Sequence, residues 1–79
     1  MKPVEFEGQN AVFAKDQPEY LPLPALIHKE NGEVVTCWEL TREEIAEIQR
    51  TKRIYFSQYT FGQPLQPQLP QAFKPRGVL

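Results

Sequence analysis

Two side chains in this sequence have the types needed for a nucleophile and its base: Cys37 and His28, its one cysteine and its one histidine. A thiolate nucleophile needs an imidazole in hydrogen-bond contact and a third group to orient that imidazole. If Asn31-Gly32 closes a two-residue hairpin, His28 opposes Val35 and Leu26 opposes Cys37. His28 and Cys37 then become diagonal neighbours on one face, with Glu30 and Glu39 on that face as candidate orienting carboxylates. The plainer reading is a partly covered thiol beside a surface imidazole. The chain is therefore read as non-enzymatic, with a Cys/His hydrolase as the alternative. One cysteine and one histidine cannot complete a four-ligand metal cluster without carboxylates, so neither a metal nor a cofactor is expected.

Glu43, Glu44 and Glu47 form the second constellation. Glu43 and Glu47 share a helix face, as paired acid–base carboxylates would. Their position at a helix start suits compensation of the helix dipole instead, and nothing apolar surrounds them that would raise a carboxyl pKa. The third constellation is richer. Arg50, Lys52 and Arg53 lead into Tyr55, Tyr59 and Phe61, with Trp38 upstream. Cations hold phosphates and aromatic faces stack bases, but the same aromatics suit a protein interface, and that reading is preferred. The candidate partner-binding residues are thus Trp38, Arg50, Lys52, Arg53, Tyr55, Tyr59 and Phe61. The glycines at 8, 32, 62 and 77 are too scattered to form a phosphate loop.

The elements that must position these residues follow from local pattern. Residues 1–21 are polar apart from the short β-like run Ala11-Val12-Phe13-Ala14, and Asp16-Gln17-Pro18 reads as a turn. Pro22 and Pro24 bracket Leu23 and allow at most an edge strand there. Segments 25–30 and 33–38 flank Asn31-Gly32, the pair favoured in type I′ hairpin turns. The two-residue turn sets Glu30 against Glu33, Ile27 against Thr36 and Ala25 against Trp38. The face holding Leu23, Ala25, Ile27, Val34 and Leu40 is taken as the core face. Thr41 and Glu44 form a capping box, with Leu40 and Ile45 placed for a hydrophobic staple. The helix they start has a thin apolar stripe of Ile45, Ile48 and Ala46, and it must pack on the sheet to persist. Arg53–Phe61 reads as a third strand. Alternation puts Arg53, Tyr55, Ser57, Tyr59 and Phe61 on one side of it.

In the tail, Pro64, Pro67 and Pro70 recur at the three-residue period of a polyproline II helix. The tail is expected to dock along the chain's own aromatic strand or that of a second copy. A P-x-x-P ligand and a solvated tail are the other options.

Several of these segments form a familiar pattern of words: Leu21-Pro22-Leu23-Pro24-Ala25, Val34-Val35-Thr36-Cys37-Trp38, Thr41-Arg42-Glu43-Glu44-Ile45, Arg53-Ile54-Tyr55 and Thr60-Phe61-Gly62-Gln63-Pro64-Leu65-Gln66-Pro67. Over residues 16–70 the chain resembles small phage-, prophage- and plasmid-encoded proteins of no assigned activity. The resemblance implies a mobile-element context and a bacterial cytoplasm, and it transfers no catalytic residue.

Composition bounds the rest. A chain of 79 residues is too short for two independent cores, and its single cysteine rules out an internal disulfide. The N-terminal residues have no apolar signal-peptide region, and no apolar run approaches the length of a membrane span. Net charge is −1 and the pI about 5.8, without the basic excess of a nucleic-acid binder. The expected fold is a small α+β domain of order β-β-α-β over residues 1–62. It has a three-stranded, mostly antiparallel sheet, one helix on one face, and the N-terminal segment and tail part-covering the other. Residues 63–79 form an extended Pro/Gln-rich tail. Apolar surface left over by so small a core predicts self-association, most simply a two-fold homodimer. The expected function is binding of a host or phage protein; the alternative is an oligomeric module for a nucleotide or single-stranded nucleic acid.

Overall fold

The computed structural model describes residues 1–13, 22–58 and 68–79. They form seven short strands and one helix, an α+β arrangement in two compact units: Lys2–Glu39, and Met1 with Leu40–Leu79. The boundary expected at Gly62 lies outside the described residues, as do Tyr59, Phe61 and the prolines at 64 and 67.

The unit Lys2–Glu39 holds β1 (Lys2–Val4), β2 (Ala11–Phe13), β3 (Leu23–His28), β4 (Glu33–Val35) and β5 (Cys37–Glu39). The order β2-β3-β4 makes one antiparallel sheet, and β1 pairs with β5 in another. β3 is thus a central strand although it contains Pro24. Its two neighbours divide it: β2 pairs with Leu23–Ala25 and β4 with Leu26–His28. The backbone groups of Ala25 and Ile27 face the β2 side, because the Asn10 N–H donates to the Ala25 carbonyl at 2.9 Å and the Asn10 side chain bonds both groups of Ile27. Strand alternation then turns Pro24, Leu26 and His28 toward β4. Pro24 has no N–H to offer on that side, so the β3–β4 ladder ends before reaching it. The chain beyond Val35 leaves β3 and pairs with β1 instead.

This corrects the expected hairpin. The turn has four residues, 29–32, and the observed register is His28↔Glu33, Ile27↔Val34 and Leu26↔Val35. A type I′ turn needs positive φ at both central residues. Gly32 has φ +78°, whereas Lys52 is the one non-glycine residue with positive φ among those described. Asn31 instead uses its side chain, Oδ1 accepting from the Glu33 N–H at 3.0 Å, and the N–H groups of Asn31 and Gly32 both donate to the His28 carbonyl. The slip of two residues keeps Ile27 and Val34 on one face but removes the other pairings. Ala25 opposes Ala11, Trp38 opposes Pro3 and Cys37 opposes Val4. The N-terminal segment supplies strands beside β3 and β5 rather than a cover over a sheet face. Ala25 is fully buried, while Val34 remains 37% exposed.

The second unit starts at the helix α1 (Arg42–Thr51). Its capping box is formed: the Glu44 N–H donates to Thr41 Oγ1 at 3.2 Å, and the Thr41 N–H donates to Glu44 Oε1 at 2.8 Å. Such a cap contributes about 1 kcal/mol. The expected burial of the apolar stripe is not seen. Glu44 is the buried residue of α1, while Ile45 is 45% exposed. The helix ends on Lys52 in the left-handed conformation, φ 60° and ψ 27°, with its N–H donating to the Ile48 carbonyl.

β6 (Tyr55–Gln58) follows, and it pairs antiparallel with β7 (Gln68–Gln71). The three-stranded sheet is therefore β2-β3-β4, and the strand after the helix joins the chain's own tail rather than the hairpin. Residues 68–71 of the tail form an edge strand instead of continuing a polyproline helix. Among the described residues no large side chain is fully buried, and the buried apolar ones are Pro24, Ala25, Pro70 and Ala72.

Candidate partner-binding surface

Four of the seven candidate residues lie along one continuous turn from helix to strand. Arg50 sits in the last turn of α1, where a cation suits the dipole. Its guanidinium is committed: Nε donates to Glu47 Oε1 at 3.0 Å and Nη2 to Glu47 Oε2 at 2.8 Å. That pair holds the Glu47 carboxyl below its ordinary pKa and pushes Arg50 above its own. Lys52 folds back so that Nζ donates to the Gln49 carbonyl, covering a carbonyl that the helix end leaves without a partner. Arg53 is exposed, and its N–H donates to Thr51 Oγ1 at 3.2 Å.

Tyr55 opens β6 half-buried, opposite Gln71. The alternation expected for this strand is present: Tyr55 and Ser57 are half-buried, and Phe56 and Gln58 exposed. Ser57 is fixed from β7, its Oγ accepting from Gln71 Nε2 at 2.7 Å. Trp38 belongs to the other unit, half-buried in β5, with Nε1 donating to Thr36 Oγ1 at 2.8 Å. Tyr59 and Phe61 lie outside the described residues.

The structure adds a residue that the sequence reading left on the non-interface side of the strand. Phe56 is 62% exposed, the most exposed aromatic ring among the described residues. Ile54, on the same side by alternation, is 48% exposed. The available signal was the strand's period of two, which places Ile54 and Phe56 together; their exposure depends on the pairing with β7. A second missed group is the Met1 ammonium, which donates to Glu44 Oε2. With the Thr41 N–H it keeps the Glu44 carboxyl below its ordinary pKa, against the opposing effect of burial.

The Cys37–His28 pair loses the geometry that motivated it. Cys37 is exposed on β5 opposite Val4, and His28 lies between two carboxylates, Nδ1 at 3.4 Å from Glu30 and Nε2 at 3.5 Å from Glu33. The imidazole thus sits between the two glutamates that the shorter turn had set against each other. Among the described residues no group of three or more His, Cys, Asp or Glu is arranged to hold a metal ion, and no helix is long and apolar enough to cross a membrane.

Comparison of the chain with protein-family models, with curated proteins and with solved structures finds no match.

Proposed function

We propose that this chain is a non-catalytic accessory protein of a phage or other mobile element. It acts in a bacterial cytoplasm by binding a protein partner, and it associates with copies of itself. One observation carries the reading. The buried apolar residues described are two alanines and two prolines, Ala25, Ala72, Pro24 and Pro70, while Ile45, Ile54, Phe56 and Phe73, all in the unit containing α1, are 45–62% exposed. Apolar surface of that kind is what a partner covers, and aromatic side chains are enriched in such interfaces. The phosphate-binding alternative finds less support, because the Arg50 guanidinium is already held by Glu47.

Affinity capture from bacterial host lysate, with the intact chain and a Phe56→Asp variant side by side, tests the reading. A stoichiometric protein retained by the first and lost by the second supports it. Repeated recovery of no protein, together with a thermal shift on adding a nucleotide, would replace it with the nucleotide-binding alternative.

A further inference from the structure

Asn31-Gly32 bends the chain between β3 and β4, and it also brings a backbone nitrogen beside a side-chain carbonyl that it can attack. The nitrogen of Gly32 and Cγ of Asn31 belong to adjacent residues, so closing a five-membered ring between them needs no second molecule. Glycine suits the attacking position, because it has no Cβ to crowd the nitrogen. The sequence holds one Asn-Gly pair, and both of its residues are exposed.

The hydrogen bonds of the turn bear on each partner in that reaction. Oδ1 of Asn31 accepts from the Glu33 N–H at 3.0 Å. Attack on Cγ pushes an electron pair onto Oδ1. The Glu33 N–H therefore already lies against the atom where negative charge develops, as an oxyanion-hole donor does. The Gly32 N–H donates to the His28 carbonyl at 2.8 Å, which opposes loss of its proton. The same carbonyl also accepts from the Asn31 N–H at 3.3 Å, so it keeps a partner when the Gly32 nitrogen turns away. A Cβ placed on Gly32 would meet nothing within 4 Å, which leaves room for the ring.

We propose that Asn31 is a site of self-modification, converted by the Gly32 backbone nitrogen through a cyclic imide to aspartate and isoaspartate. Hydroxide removes the Gly32 amide proton, and the N–Cγ bond forms. The tetrahedral intermediate collapses, the Cγ–Nδ2 bond breaks, and Nδ2 leaves as ammonia with a proton taken from water. Water then adds to one of the two imide carbonyls. Opening at Cγ gives aspartate; opening at the main-chain carbonyl gives isoaspartate, whose backbone runs through the side chain. Nothing is oxidised or reduced. Either product makes the formal net charge one unit more negative than −1. Aspartate keeps an oxygen for the Glu33 N–H. Isoaspartate puts an extra carbon into the main chain between His28 and Glu33, which the turn sets opposite each other.

Peptide mapping by mass spectrometry tests this on the full chain, incubated at mildly alkaline pH both folded and in guanidinium chloride. Enzymatic methylation of isoaspartate identifies that product. In the folded chain Asn31 should convert at least as fast as in the denatured chain, with isoaspartate among the products. Asn10 is the internal reference; both backbone groups of Ile27 hold its side chain, and it should remain an amide in the folded chain. Slower conversion of Asn31 in the folded chain than in denaturant overturns the proposal, because the turn then protects the pair. Aspartate formed without isoaspartate also overturns it, because direct hydrolysis passes through no ring.

Discussion

The side-chain amide of Asn10 bonds both backbone groups of Ile27, accepting its N–H at 2.9 Å and donating to its carbonyl at 3.1 Å. A carboxamide has the same donor and acceptor as a peptide unit, so Asn10 continues the β2 ladder along β3 past the last backbone pair, Ala11↔Ala25. Asn10→Ala should therefore cost about 1–2 kcal/mol, the worth of two ordinary hydrogen bonds. Asn10→Asp keeps the acceptor and loses the donor, so it should fall between. Urea midpoints measure the cost, and amide exchange at Ile27 locates it. An unchanged Ile27 amide in Asn10→Ala would show that the side chain does not extend the sheet.

Glu44 makes the helix start sensitive to acid. The Met1 ammonium and the Thr41 N–H both donate to its carboxylate and hold its pKa below the ordinary 4.5. A depressed carboxyl stabilises the fold fully above its unfolded pKa, and that contribution is lost as pH falls through the folded value. Glu44→Gln should thus be less stable than the parent at neutral pH and should converge with it in acid. Urea midpoints collected from neutral pH downward give both curves; curves that run parallel throughout would mean that the charge contributes nothing.

The helix and its cap were legible because Thr41 and Glu44 are near neighbours in sequence and need no distant partner. The Arg50–Tyr55 turn was legible for the same reason. Asn31-Gly32 marked the bend but not its length, which depends on Asn31 using its side chain and on where Pro24 ends the ladder. The pairing of Trp38 with Pro3 joins segments far apart in sequence; that the tail lies along the aromatic strand was expected, but not that it does so as a strand with Pro70 opposite Phe56. β1 and β7 are short, and each contains a proline, so neither has an alternating apolar pattern that would announce a strand. The exposure of Phe56 was hidden with them, since alternation gives the two sides of a strand but not which one is covered.

Lys52 holds a left-handed conformation at the helix end, φ 60° and ψ 27°. A side-chain-bearing residue there is disfavoured by about 1–2 kcal/mol relative to its right-handed conformation, a cost that glycine does not carry. Lys52→Gly should accordingly stabilise the fold by roughly 0.5–1 kcal/mol despite losing the contact from Nζ to the Gln49 carbonyl. Lys52→Val should destabilise it, because a β-branched residue tolerates positive φ least. Thermal and urea unfolding of the two variants should move in opposite directions. A glycine variant no more stable than the parent would mean that the lysine contact to the carbonyl outweighs the backbone relief.

Glu47 and Arg50 form a two-point ion pair on the helix surface, with the arginine largely exposed. Solvent screening leaves an exposed helix pair little net worth, so Glu47→Gln should barely move the urea midpoint. It does remove the charge that occupies the guanidinium. If Arg50 served a phosphate ligand, the variant would bind phosphate or a nucleotide more strongly than the parent. If the chain binds protein, neither should show a thermal shift with inorganic phosphate or ATP. The two measurements separate the pair's structural worth from any role as a restraint on Arg50. A gain in ATP binding on Glu47→Gln, lost again in Glu47→Gln with Arg50→Ala, would assign the helix end to phosphate recognition and count against a protein partner there.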